Sequence, residues 1–158
     1  MDPSEWLARF RIAHERARSG QLKPEERARY LGMREELARS LVAAQGLTLP
    51  EGQNARKHFR VAQLFNVEVN NLYATVTREL SRSGFSALVT GPLKDGELVD
   101  FKLTLSRGTE PITGRAKVVA VLRQAGNWRV SFSVDKLSDA DAERLEVALF
   151  DAVLARIK

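Results

Sequence analysis

The hydrophobic period of this 158-residue chain changes from helical to two near Val61, and that change most limits what the chain can fold into. Before it, apolar residues recur every three or four positions; from there to about residue 134 they recur at every second position. Residues 61–69 alternate loosely, with Phe65, Val67 and Val69 on one face and Leu64, Asn66, Glu68 and Asn70 on the other. Asn70-Asn71 marks a tight turn, and the β-formers of residues 72–77 predict a second strand. Residues 85–89, 98–105, 112–123 and 128–134 predict four more, with turn signals at Gly91-Pro92, Asp95-Gly96 and Gly126-Asn127. Six short strands spaced by such signals predict an antiparallel barrel or sandwich. Ser138 then caps a final helix whose buried stripe is Leu145, Leu149, Val153 and Ile157.

The N-terminal third has the helical period. Residues 3–19 predict one helix, with Trp6, Phe10, Ala13 and Ala17 on a stripe and Ser19-Gly20 as its stop. Pro24 with Glu25 and Glu26 starts a second, which runs to about Ala44 with Tyr30, Leu37 and Leu41 on one stripe. Two amphipathic helices joined by a short turn make an antiparallel hairpin that buries little alone. Its stripes must meet either the following domain or a second copy of the chain, which would make a homodimer. The expected division is therefore a hairpin over residues 1–46, a Gly/Pro-containing linker over 47–55, and the β domain over 56–158.

Composition bounds the chemistry. With no cysteine, the chain has no disulfide, thiol nucleophile or thiolate metal site. It starts acidic without an apolar signal core, and no apolar run approaches the roughly 18 residues of a membrane span, so a cytoplasmic location is expected. The net charge is +5, from 25 basic and 20 acidic residues, and is spread rather than blocked. No strand interleaves the aromatic residues that single-strand binders stack on bases, so no nucleic-acid partner is expected. The two histidines, His14 and His58, are not at metal-ligand spacing. There is also no nucleophile elbow, phosphate-binding glycine loop or dinucleotide fingerprint. No enzymatic activity and no metal or cofactor are expected.

Two polar stretches flank the first two strands. Arg56-Lys57-His58-Phe59-Arg60 precedes the first, and Glu79-Leu80-Ser81-Arg82-Ser83-Gly84 follows the second as a predicted turn. Antiparallel pairing would bring both to one end of the sheet. There they offer guanidinium forks, a carboxylate, a hydroxyl and a flexible backbone to an anionic, hydrogen-bonding ligand.

This combination resembles the PilZ domain, whose signature is Arg-x-x-x-Arg followed by Asp/Asn-x-Ser-x-x-Gly. Glu79 stands at the Asp/Asn position, one methylene longer. The resemblance covers roughly residues 54–158, and the Lys94–Leu98 turn and the Leu137–Asp141 helix start also fall where that family has similar features. The hairpin lies outside the family pattern. The resemblance implies a mostly β fold, a six-stranded antiparallel barrel ending in a helix. It also implies a non-catalytic receptor for the bacterial second messenger cyclic di-GMP, acting on a partner protein in motility or surface behaviour. Arg56 and Arg60 would hold guanine edges and phosphates, Glu79 would accept from guanine N–H groups, Ser81 would hydrogen-bond the ligand, and Gly84 would let the backbone approach it. Residues 53–55 would order over the ligand and reposition the hairpin, through which the partner would be reached. The alternative on the same fold is an interaction adaptor that binds no nucleotide.

Overall fold

The computed structural model describes residues 2–46 and 58–157, and the chain divides into two units, Met1–Phe59 and Arg60–Lys158. The expected linker, the segment 53–55 and Arg56 lie outside the described residues.

In the first unit, α1 (Pro3–Arg18) and α2 (Pro24–Gly46) form the hairpin. Asp2 caps α1 by accepting the Ser4 N–H at 3.0 Å. Glu26 caps α2 from within: its carboxylate accepts the Lys23 N–H at 3.1 Å and the Arg16 guanidinium at 2.8 Å. Those two contacts, the backbone one first, hold its carboxyl below the usual glutamate range. Trp6, Phe10 and Tyr30 stack in sequence at centroid spacings of 5.6 and 5.8 Å. His14 is buried beside them because its Nδ1 shares a 2.7 Å hydrogen bond with the Tyr30 hydroxyl.

The second unit holds seven strands and one helix. In chain order the strands are β1 (Arg60–Val61), β2 (Asn66–Val69), β3 (Tyr73–Ser81), β4 (Gly84–Val89), β5 (Leu98–Thr104), β6 (Ile112–Gln124) and β7 (Asn127–Lys136). Every pairing is antiparallel, and the ring β2–β3–β4–β7–β6–β5–β2 closes into a six-stranded barrel. Closure leaves the ring without an unpaired end strand, so a short β-rich sequence can be a single stable sheet. β1 is a two-residue addition to the far end of β3, where Arg60 opposes Ser81.

The inner face follows the alternation read from the sequence. Val67, Val69, Leu80, Phe85, Val99, Phe101, Ile112, Val118, Val130 and Phe132 are all buried. Phe85 stacks on Phe132 at 4.7 Å and meets Phe101 edge-on at 5.4 Å. Burying each such ring stabilises the fold by about 1.5–3 kcal/mol. Asn70 and Asn71, at φ of 55° and 54°, make the tight turn from β2 to β3. In the β6–β7 turn the positive-φ residues are Ala125 and Gly126, one position earlier than the expected Gly126-Asn127.

Three expectations need correction. The first strand is not continuous: it breaks into β1 and β2 around residues 62–65. Thr77 fills the break, its Oγ1 donating to the Gln63 carbonyl at 2.8 Å and accepting the Phe65 N–H at 3.0 Å. The second strand does not stop at Thr77; it passes through a bulge at Arg78 and runs to Ser81, so Glu79 and Ser81 are strand residues and the turn is Arg82-Ser83. Ile157 lies beyond the final helix, as its C-cap, while Leu145, Leu149 and Val153 are buried as expected.

That helix, α3 (Asp139–Arg156), is capped by Ser138, whose Oγ accepts the Asp141 N–H at 3.1 Å. It packs against β1 and β6. Arg156 donates to the Ala62 carbonyl at 2.7 Å, which satisfies an acceptor left over by the β1–β2 break. Arg82 reaches Glu146 at 3.6 Å. No helix among the described residues is long and apolar enough to cross a membrane.

Candidate functional site

Strand register places the polar stretches side by side. Ladder partners share a face of the sheet, and successive rows alternate between inside and outside. The row Leu80, Phe85, Phe132, Val118 points inward and forms core. The rows on either side of it point outward. One runs Arg60, Ser81, Gly84, Ser133; the other runs Glu79, Ser86, Ser131, Ala120. Away from the charged ends, nothing in these rows is larger than a serine, so the outer face sinks into a trough.

The trough is a cleft of about 190 Å³ lined by Arg60, Glu79, Ser81, Ser86, Ser131 and Ser133 among others. Val119, the bulge residue between Val118 and Ala120 of β6, is re-aimed into its wall. The volume falls below the roughly 300 Å³ at which a pocket engulfs a drug-sized molecule, so this is a surface that takes part of a ligand. Two larger open grooves lie elsewhere on the barrel; the one of about 510 Å³ mixes Lys102, Arg115 and Lys136 with Glu68 and Asp100. Within it Arg115 lies 3.6 Å from Asp100.

At the head of the trough, Arg60 Nη1 donates to Glu79 Oε2 at 2.9 Å. Arg129, on β7, brings Nη2 to 3.9 Å from the other Glu79 oxygen. The carboxylate is thus bracketed by two guanidinium groups. All three side chains are about a third or more exposed, so each pair contributes only about 0–1 kcal/mol to stability. Ser81 turns its hydroxyl to the Arg82-Ser83 turn, accepting the Ser83 N–H at 3.2 Å and donating to the Gly84 carbonyl at 3.3 Å. Gly84 is fixed by its neighbour in the sheet: a Cβ there would lie 2.1 Å from the Phe132 carbonyl oxygen.

Of the five residues singled out in the sequence, Arg60, Glu79, Ser81 and Gly84 come together in this cleft, and Arg56 lies outside the described residues. Sequence reasoning missed Ser86, Ser131, Ser133, Val119 and Arg129. A signal for three of them was present: Gly84 and Ser86, and Ser131 and Ser133, are small residues two apart on strands otherwise rich in large ones. No group of three or more His, Cys, Asp or Glu side chains converges as a metal site among the described residues.

Comparison with known proteins bears on this geometry. The profile of the PilZ domain matches residues 54–151. Among curated proteins none matches in sequence. Among solved structures, the inhibitor of motility MotI/DgrA of Bacillus subtilis is similar, at 15% identity and a TM-score of 0.59, over 69% of this chain and 57% of that one. The chain therefore spans little more than half the length of that protein. The PilZ domain of YcgR from Escherichia coli, solved with c-di-GMP, is 15% identical with a TM-score of 0.52, over 63% of this chain and 92% of that one. At such identities the likeness is one of fold. The profile covers well over half of the sequence, and the barrel with its closing helix is the architecture that its signature implies: the chain belongs to the PilZ domain family.

Proposed function

We propose that this chain is a non-catalytic receptor for cyclic di-GMP that regulates a partner protein, acting in motility or surface behaviour in the cytoplasm. The observation that carries the reading is the Arg60–Glu79 pair, 2.9 Å apart at the head of a serine- and glycine-floored trough. A guanidinium fork supplies donors to guanine O6 and N7 or to phosphate oxygens. A carboxylate beside it accepts from guanine N1–H and N2–H, which adenine cannot match. Arg56, two residues before His58, would add a second fork. Support also comes from the company of the fold: YcgR has been solved in complex with c-di-GMP, and MotI/DgrA is an inhibitor of motility. Ligand-driven ordering ahead of Arg60 would shift the population of hairpin positions, which is the route to the partner.

Calorimetry on the wild-type chain and on Arg60→Ala tests this. Binding is expected in the wild type at micromolar cyclic di-GMP and is lost or cut at least tenfold in the variant. No heat from the wild type at tens of micromolar would overturn the reading.

One observation favours a second reading, an adaptor of the same fold without a nucleotide. Glu79 already answers Arg60, and Ser81 already answers its own turn, so part of the cleft is satisfied internally. That reading expects partner capture to survive the double change Arg56→Ala and Arg60→Ala.

A further inference from the structure

Ser86 has a property its neighbours in the trough lack. It lies in the outward row between Glu79 and Ser131, it is only 6% exposed, and it lines the cleft. Its Oγ is buried and makes no hydrogen bond among the described residues. Ser81 and Ser83, a few ångströms along the same floor, are both bonded. A hydroxyl taken out of water without a partner is destabilising, and folds retain few of them. Nothing in the barrel's packing calls for a hydroxyl here, because the inward side of β4 is supplied by Phe85 and Ala87.

The surroundings fit a flat, hydrogen-bonding guest. From Glu79 across Ser86 to Ser131 the floor spans two interstrand gaps, about 10 Å. That is enough for a fused heterocycle to lie along it with one edge at Glu79 and another over the hydroxyls. Ser86 can donate and accept, so it can answer a ring nitrogen or an exocyclic group. Val119 offers an apolar surface at the side. We propose that the Ser86 hydroxyl is a ligand-binding group, the floor contact of a subsite for a purine base, with Ser131 beside it and Glu79 at its edge. The inference rests on the reading of this cleft as a nucleotide site and adds a residue outside the Arg-x-x-x-Arg and Glu-x-Ser-x-x-Gly stretches.

Two measurements on the full chain test it separately from the receptor reading. In calorimetry with cyclic di-GMP, Ser86→Ala is expected to weaken binding about threefold to tenfold. The unliganded Tm of the same variant is expected to stay level or rise, since an unanswered buried hydroxyl is removed. Undiminished affinity overturns the subsite and leaves the receptor reading intact. A fall of several degrees in the unliganded Tm also overturns it, because the hydroxyl would then be bonded within the fold. If wild type gives no heat with cyclic di-GMP, the receptor reading falls, and amide chemical shifts during titration with millimolar GMP decide the subsite. Largest shifts at Ser86 and Ser131 uphold it; shifts absent from both overturn it.

Discussion

A single missing methyl at Gly84 decides whether β4 and β7 can pair. With the Phe132 carbonyl oxygen 2.1 Å from where a Cβ would sit, Gly84→Ala must push two hydrogen-bonded strands apart. Overpacking of this kind costs about 1–3 kcal/mol, to be read as a lowered urea midpoint. A change below about 0.5 kcal/mol would refute the steric account. Lost ligand binding in that variant would thus report a disturbed strand pair, whatever the ligand touches. Glu79 is the opposite kind of residue. Its partners are partly exposed guanidinium groups, so Glu79→Gln is expected to change stability by less than about 1 kcal/mol. If Glu79 accepts from guanine N–H groups as proposed, the same change removes the acceptor's charge, and cyclic di-GMP affinity is expected to fall about tenfold or more. Calorimetry paired with urea melts separates the two effects. Glu79, one methylene longer than the family's Asp or Asn, lies near both Arg60 and Arg129.

Between elements, the site depends on how β1 is joined to β2. Thr77 holds that break through the Gln63 carbonyl and the Phe65 N–H, and its own N–H donates to the Phe65 carbonyl at 2.9 Å. Thr77→Val keeps the shape and leaves a buried N–H unanswered, so a loss of about 1–3 kcal/mol is expected in urea melts, with no loss if the break is held by packing alone. In the hairpin, Glu26 links Arg16 to the start of α2, and its lowered pKa fixes the sign of a pH effect. Its stabilising contribution is full above the ordinary glutamate range and is lost as pH falls through the depressed value. Glu26→Gln should therefore lower stability at neutral pH and close the gap to wild type under acid, as thermal melts at both pH values would show. The β elements were legible wherever the period of two was uninterrupted, as over residues 85–89 and 98–104. They were misread at the Arg78 bulge and at the break around residues 62–65, where extra residues exchange the two faces of a strand. That is why Glu79 and Ser81 read as a turn. The serine floor stayed hidden for a related reason: Ser86 and Ser131 are 45 positions apart, and only strand register sets them side by side.

At the scale of the whole chain, the two units can be followed separately because each carries one of the two tryptophans, Trp6 on α1 and Trp128 on β7. The net charge of +5 says little about either, since 25 basic residues are offset by 20 acidic ones along the sequence. Ligand linkage says more. A ligand that binds only the folded state at 100 times its Kd adds about 2.7 kcal/mol of stability. In a unit the size of the barrel, Arg60–Lys158, each kcal/mol raises Tm by about 4–8 °C, so saturating cyclic di-GMP should move the barrel's transition up by roughly 10–20 °C. Trp6→Phe leaves Trp128 as reporter of the barrel and keeps an aromatic ring stacked on Phe10. Trp128→Phe leaves Trp6 as reporter of the hairpin and weakens a cation–π contact with Arg123, at a cost below about 0.5–1 kcal/mol. With the ligand present, the Trp128 transition is expected to rise, and Arg60→Ala is expected to cancel the rise. The Trp6 transition is the discriminating one. If the hairpin carries the signal, ligand binding in the barrel must change the hairpin's free energy, and the Trp6 transition shifts as well. A Trp6 transition that stays fixed while the Trp128 transition rises would leave binding intact and remove the hairpin as the output, moving the search for the partner surface onto the barrel.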